Sequence, residues 1–149
     1  MSRSVDDLIA ALRSFEPTKD ESDNVHRLNE IFEGFHLFAD REEAAPEIFA
    51  LIERFPEADF GTPCPLVHEL EALATYPKLL AASLQRQPTE LATWMANRLL
   101  NSPLARDKRN AWLQHLTDVT THARAPAAVR ESAIRFLDFQ ASRSGRLAP

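Results

Sequence analysis

Apolar residues recur along this chain three and four positions apart, the spacing of an α-helix that buries one face, and strand-like alternation is nearly absent. The first stripe, Val5, Leu8, Ile9 and Leu12, predicts a helix over Ser4–Ser14. Ser4 is placed to cap it, and Asp6 and Asp7 fall in the first turn, where the helix dipole favours negative charge. Pro17 breaks the pattern. A second stripe, Val25, Leu28, Ile31, Phe32, Phe35 and Phe38, predicts a helix over Asp23–Phe38 with Gly34 inside it. A glycine there costs roughly 1 kcal/mol against alanine, which a close helix crossing would explain.

Prolines mark most of the later starts. Pro46 opens a third helix to about Arg54, with Ile48, Phe49, Ile52 and Phe55 inward. After a loop through Gly61-Thr62-Pro63-Cys64, Pro65 opens a fourth to about Thr75, with Leu66, Val67, Leu70 and Leu73 inward. Pro77 starts a fifth to about Arg86, and Pro88 a sixth through Leu91, Trp94, Met95, Leu99 and Leu100. A seventh is expected over Ala105–His122 around Trp112, Leu113, Leu116 and Val119. Pro126 opens an eighth whose face is Val129, Ala133, Ile134 and Leu137, and the polar tail after about residue 141 is expected to fray.

Eight short helices with short connections imply an all-α fold of antiparallel neighbours. The expected arrangement is an irregular HEAT-like stack, pairing the third helix with the fourth, the fifth with the sixth and the seventh with the eighth. A compact helical bundle is the alternative. The 149 residues suit a single domain, with 44% hydrophobic and 26% charged residues, both ordinary for a globular chain.

Charge changes the picture more than composition does. The net charge of −5 conceals a division: Met1–Thr75 carries 17 acidic and 6 basic residues, and Tyr76–Pro149 carries 5 acidic and 11 basic. Cys64 is the only cysteine, so no internal disulfide forms, and a reducing compartment is expected. Asp6 and Asp7 interrupt the N-terminal apolar pattern, unlike a signal peptide, and no run reaches the roughly 18 apolar residues of a membrane span. A cytoplasmic location is the resulting expectation.

The candidate chemistry is sparse. Glu33 and His36 make one Glu-x-x-His, where a di-iron bundle needs two. His68, Glu69 and Glu71 lack the second histidine, four residues on, of a metalloprotease helix. His115 and His122 are seven apart without a third ligand. Cys64, at a helix start one turn from His68, has the sequence geometry of an activated thiol, although a lone cysteine ordinarily serves as a small apolar residue. Three glycines build no phosphate loop. Arg106, Lys108, Arg109, Arg124, Arg130 and Arg135 form a basic C-terminal third, but they are spread over several helices of an acidic chain, which argues against direct nucleic-acid binding. No catalytic residue, metal or cofactor is assigned.

One stretch carries a resemblance. Gly61-Thr62-Pro63-Cys64-Pro65-Leu66-Val67-His68, Glu71, Tyr76-Pro77, Pro88-Thr89-Glu90 and Trp94-Met95-Ala96-Asn97-Arg98-Leu99-Leu100-Asn101 resemble small HEAT-like helical bacterial proteins that include immunity proteins of polymorphic toxin systems. The resemblance implies a protein that binds a cognate toxin and covers its active surface in the producing cell. Glu30, Glu33, Asp40, Glu42 and Glu43 are the candidate contacts, because an anionic face steers a basic partner. Asn97, Arg98 and Asn101 are expected to tie neighbouring helices together. Two alternatives stand beside this reading: a scaffold or adaptor docking a host protein or peptide in an apolar groove, and a helical enzyme using His68 and Glu71.

Overall fold

A computed structural model of the chain describes residues 3–147, with side chains as far as residue 143. Met1, Ser2, Ala148 and Pro149 lie outside the described residues. Among those described are eight α-helices and no strand: α1 (Val5–Ser14), α2 (Glu21–Ile31), α3 (Ala45–Arg54), α4 (Pro65–Glu71), α5 (Tyr76–Arg86), α6 (Glu90–Leu100), α7 (Arg106–Val119) and α8 (Ala127–Leu147). Two short 3-10 turns, Phe35–Leu37 and Arg41–Ala44, fall between α2 and α3. The all-helical expectation holds. The fold divides into two compact units, Met1–Leu79 and Leu80–Pro149, and the division falls within α5.

In the first unit α1 packs on α3 and α2, and α4 packs on α2 and α3, so the expected pairing of α3 with α4 is present. Leu8, Leu12, Leu28, Phe35, Ile48, Phe49, Ile52, Leu66 and Leu70 are essentially sealed from solvent. Burying each such side chain stabilises by roughly 1.5–3 kcal/mol. Helix α1 begins as its sequence predicts: Ser4 Oγ accepts from Asp7 N at 3.2 Å, and Asp7 returns a carboxylate to Ser4 N at 2.9 Å.

Helix α2 departs from expectation. It ends at Ile31, and Gly34 lies beyond that end at φ +75°, with nothing within 4 Å of where a Cβ would stand. The glycine therefore supplies a left-handed residue that stops the helix, and no close crossing is involved. Phe35 then turns inward, edge-on to Phe32 (5.5 Å between ring centroids) and to Phe38 (6.5 Å). Gly61 meets two requirements at once: its φ is +98°, and a Cβ would fall 2.3 Å from Val25 Cγ2.

In the second unit α6, α7 and α8 pack on one another in all three combinations. The pairing of α7 with α8 is as expected, whereas the main partners of α6 are α8 and α7. Met95, Ala96, Leu100, Trp112, Leu116, Val119, Val129 and Ala133 form the core. The inward face of α8 is rotated from the expected one: Ile134 is 48% exposed, while Ser132 and Gln140 are buried. Trp94, expected inside, is 37% exposed with the Arg98 guanidinium 5.1 Å from its ring centre. α8 also continues past Gln140 to Leu147.

Candidate protein-binding surface

The five acidic candidates fall in or beside the α2–α3 connection of the first unit. Glu30 is exposed near the end of α2 and pairs with His26 one turn earlier, at 2.6 Å. Glu33 follows the helix, Asp40 precedes the second 3-10 turn, and Glu43 lies within it. All three are exposed, and no hydrogen bond or ion pair engages their carboxylates among the described residues. Glu42 differs. It is half-buried, and its carboxylate accepts from Ala74 N at 2.5 Å, Thr75 N at 3.5 Å and Thr75 Oγ1 at 2.7 Å, closing the turn between α4 and α5. Partial burial opposes ionisation there, yet the bonds from Thr75 and Ala74 outweigh it and hold the Glu42 carboxyl below its ordinary range.

What surrounds these carboxylates was not legible from charge counting. Every arginine of the first unit is turned onto the protein itself. Arg3 donates to the Glu30 carbonyl at 3.2 Å and to the Glu33 carbonyl, closing the end of α2. Arg54 donates to the Leu12 carbonyl at 3.0 Å, closing the end of α1. Arg13 pairs with Glu47 at 2.7 Å, and Arg41 bonds the Phe38 carbonyl at 3.4 Å. Arg27 bonds Asp23 at 3.0 Å and the Glu16 carbonyl at 2.9 Å, with its guanidinium 4.5 Å from the centre of the Phe15 ring. Guanidinium groups suit helix C-termini, where carbonyls lack intrahelical partners and the dipole is negative. The unit as a whole carries 17 acidic residues against 7 basic ones, a net of −10.

Between α1 and α2 lies an open cleft of about 460 Å³. Ala11, Phe15 and Ile31 provide its apolar lining, and Arg3, Ser14, Arg27 and Glu30 its polar one. Beside it, the fully buried Asn24 ties two loops to α2. Its Nδ2 donates to the Thr18 and Asp59 carbonyls at 2.8 and 2.9 Å, and its Oδ1 accepts from Thr18 N at 2.7 Å.

The candidates for chemistry are placed as follows. Cys64 is buried, and burial pushes its thiol above the ordinary value despite hydrogen bonds from the Val67 and Leu66 amides. Such a thiol is the opposite of an activated nucleophile. His68 and Glu71 are exposed on α4. Burial raises the Glu69 carboxyl, against the opposing influence of His68 and His36. Among the described residues no group of three or more His, Cys, Asp or Glu is arranged to hold a metal ion. His115 lies edge-on to Trp112, 4.9 Å between ring centroids, and His122 bridges the Gln85 carbonyl (2.6 Å) and Arg124 N (3.0 Å).

Four arginines of the second unit also bond to its own backbone. Arg109 and Arg143 both donate to the Leu100 carbonyl at 3.2 Å, closing α6. Arg130 holds the His122 carbonyl with two bonds, and Arg124 reaches the Arg86 carbonyl at 3.4 Å. Gln140 Nε2 bonds Asn97 Oδ1 and Asn101 Oδ1, each at 2.8 Å, so Asn97 and Asn101 tie α6 to α8. Among the described residues no helix is long and apolar enough to cross a membrane.

A scan against protein-family models finds no match to the chain, and searches of the curated proteins and of the solved structures find none either.

Proposed function

We propose that this chain acts by binding a basic protein through the anionic surface of its first unit, and not by catalysis. Following the resemblance at Phe60–Asn101, we further propose that the partner is a bacterial toxin domain whose active surface is covered. One observation carries the binding reading: the arginines of the first unit are drawn onto helix ends and internal carboxylates, leaving Glu33, Asp40 and Glu43 exposed within a unit of net charge −10. Charges arranged so raise the rate of encounter with a basic surface and repel acidic competitors. Glu30, Glu33, Asp40 and Glu43 are the contacts in this reading. Glu42 shapes the surface by holding the α4–α5 turn.

The test is calorimetric titration with the basic protein encoded beside this gene, at low and high salt, using the wild type and a Glu33→Lys, Asp40→Lys, Glu43→Lys variant. Binding that weakens steeply with salt and is lost in the variant supports the proposal. A neighbour that does not bind, or binding that neither salt nor the variant changes, sinks it. A peptide-docking adaptor is the second reading, favoured by the apolar lining of the α1–α2 cleft. A salt-indifferent apolar peptide displaced by Ala11→Arg would select it.

A further inference from the structure

The connection between α2 and α3 displays an apolar side chain to water. Among the described residues Leu37 is the most exposed of the large apolar side chains, at 76%. Local geometry puts it there. A 3-10 helix turns once every three residues, so Phe35 and Phe38 share one side of the first turn and Leu37 points about 120° away from them. Phe35 is buried and Phe38 is half-buried edge-on to it. Leu37 N donates to the Gly34 carbonyl at 3.0 Å, and Phe38 N to the Phe35 carbonyl at 3.1 Å. Leu37 thus adds nothing to the core, while the backbone beneath it is held in place.

A single exposed leucine is ordinary on a protein surface. Leu37 differs in its surroundings. Ala39 is also exposed and Phe38 is only half-buried, so three consecutive apolar residues reach solvent. The border is anionic. Glu33 stands four residues before Leu37 and Asp40 three after, and Glu43 lies on the second 3-10 turn, which packs against the first. These three carboxylates are exposed and, among the described residues, held by no internal partner. The nearby guanidinium groups turn to backbone instead: Arg3 holds the Glu33 carbonyl, and the half-buried Arg41 the Phe38 carbonyl at 3.4 Å. His36, the one titratable side chain of the first turn, is exposed and lies near enough to α4 to act on the Glu69 carboxyl. An apolar centre with a charged rim is the arrangement of a protein docking site, in which the centre holds and the rim selects the partner's charge.

Resting on the reading that the first unit binds a basic protein, we infer that Leu37 is the anchor of that contact. It seats in an apolar patch of the partner bordered by lysine or arginine, and those cations meet Glu33, Asp40 and Glu43. The partner class narrows accordingly, from any cationic protein to one whose cations surround an apolar patch.

Two synthetic peptides of equal length and charge, one of lysine and leucine and one of lysine and serine, test this by calorimetric titration of the full chain at low salt. The wild type is expected to bind the lysine–leucine peptide about tenfold more tightly. Leu37→Ser removes that preference and leaves the salt-sensitive binding of the lysine–serine peptide as it was, whereas Leu37→Met keeps the preference. The variant Glu33→Lys, Asp40→Lys, Glu43→Lys loses both peptides. All the substituted side chains are exposed, and circular dichroism melting verifies that the variants remain folded. A preference undiminished in Leu37→Ser overturns the inference and leaves the electrostatic reading of the first unit standing. A wild type that binds neither peptide, or a charge-reversed variant that binds both unchanged, overturns the two together.

Discussion

Gln140 donates one amide nitrogen to Asn97 Oδ1 at 2.8 Å, in a position fully closed to solvent. The same nitrogen reaches Asn101 Oδ1 at 2.8 Å, and Gln140 Oε1 accepts from Arg109 at 3.3 Å. Three helices of the second unit thus meet at a polar node beside the apolar core that Met95, Leu100, Trp112, Leu116 and Val129 help to form. Such a node orders its neighbours when complete and is expensive when broken, because buried polar groups lose water without replacement.

Gln140→Leu is expected to lower stability by about 1–3 kcal/mol, since the replacement leaves Asn97 Oδ1 without its donor. Adding Asn97→Leu should cost less than the two single changes suggest, because the second substitution removes the orphaned acceptor. Urea unfolding of the four proteins checks both statements. Strictly additive losses would show that the two amides are not coupled.

The two left-handed glycines separate backbone strain from crowding. Gly34→Ala meets open space and carries only the cost of its positive φ, on the order of 1 kcal/mol. Gly61→Ala adds a contact at 2.3 Å to Val25 Cγ2 and should be clearly worse. A second change, Val25→Ala, should recover part of the Gly61→Ala loss and none of the Gly34→Ala loss. Thermal melting of the five variants decides it.

The Glu42 contact makes a pH prediction with a definite sign. Its carboxyl titrates below its ordinary value when folded, so the stability it contributes is fully present above that ordinary value. It is lost as the pH falls through the lowered folded value. Glu42→Gln should therefore be less stable than the wild type near neutrality, and the gap should close in acid. A gap that stays constant with pH would mean the carboxylate charge is not what the Ala74 and Thr75 donors recognise.

Cys64 should react slowly with a thiol reagent in the native protein and completely on unfolding, because it is buried and burial disfavours its thiolate. Fast native labelling would reopen the catalytic reading of Cys64 with His68. Following the labelling rate through mild urea also reports local opening of the first unit.

Much of this fold was legible in the chain. Ser4 with Asp7 marked the start of α1, Pro46 and Pro65 marked α3 and α4, and the apolar stripes gave most of the cores of both. The errors share a cause. Periodicity carried α2 through Phe38 because Phe35 and Phe38 fit its stripe, yet Gly34 ends the helix and those rings pack from a 3-10 turn. On α8 the stripe pointed Ile134 inward, while Ser132 and Gln140 occupy the interior because partners on α6 satisfy them. Of the candidate surface, the sequence located the acidic stretch but could not separate Glu42, which closes a turn 32 residues away, from Glu43, which faces solvent. Partners distant in sequence leave no local pattern to read.

The arginine caps have a consequence for how this protein can drift over evolutionary time. An arginine whose guanidinium closes α1, α2 or α6 is pinned by geometry, because lysine offers a point charge in place of a planar fork. The exposed carboxylates of Glu33, Asp40 and Glu43 answer to no such constraint from the fold. Related chains should therefore retain their cations at fixed positions and shuffle their anions, so that the outer surface can be rewritten while the scaffold beneath it stays still.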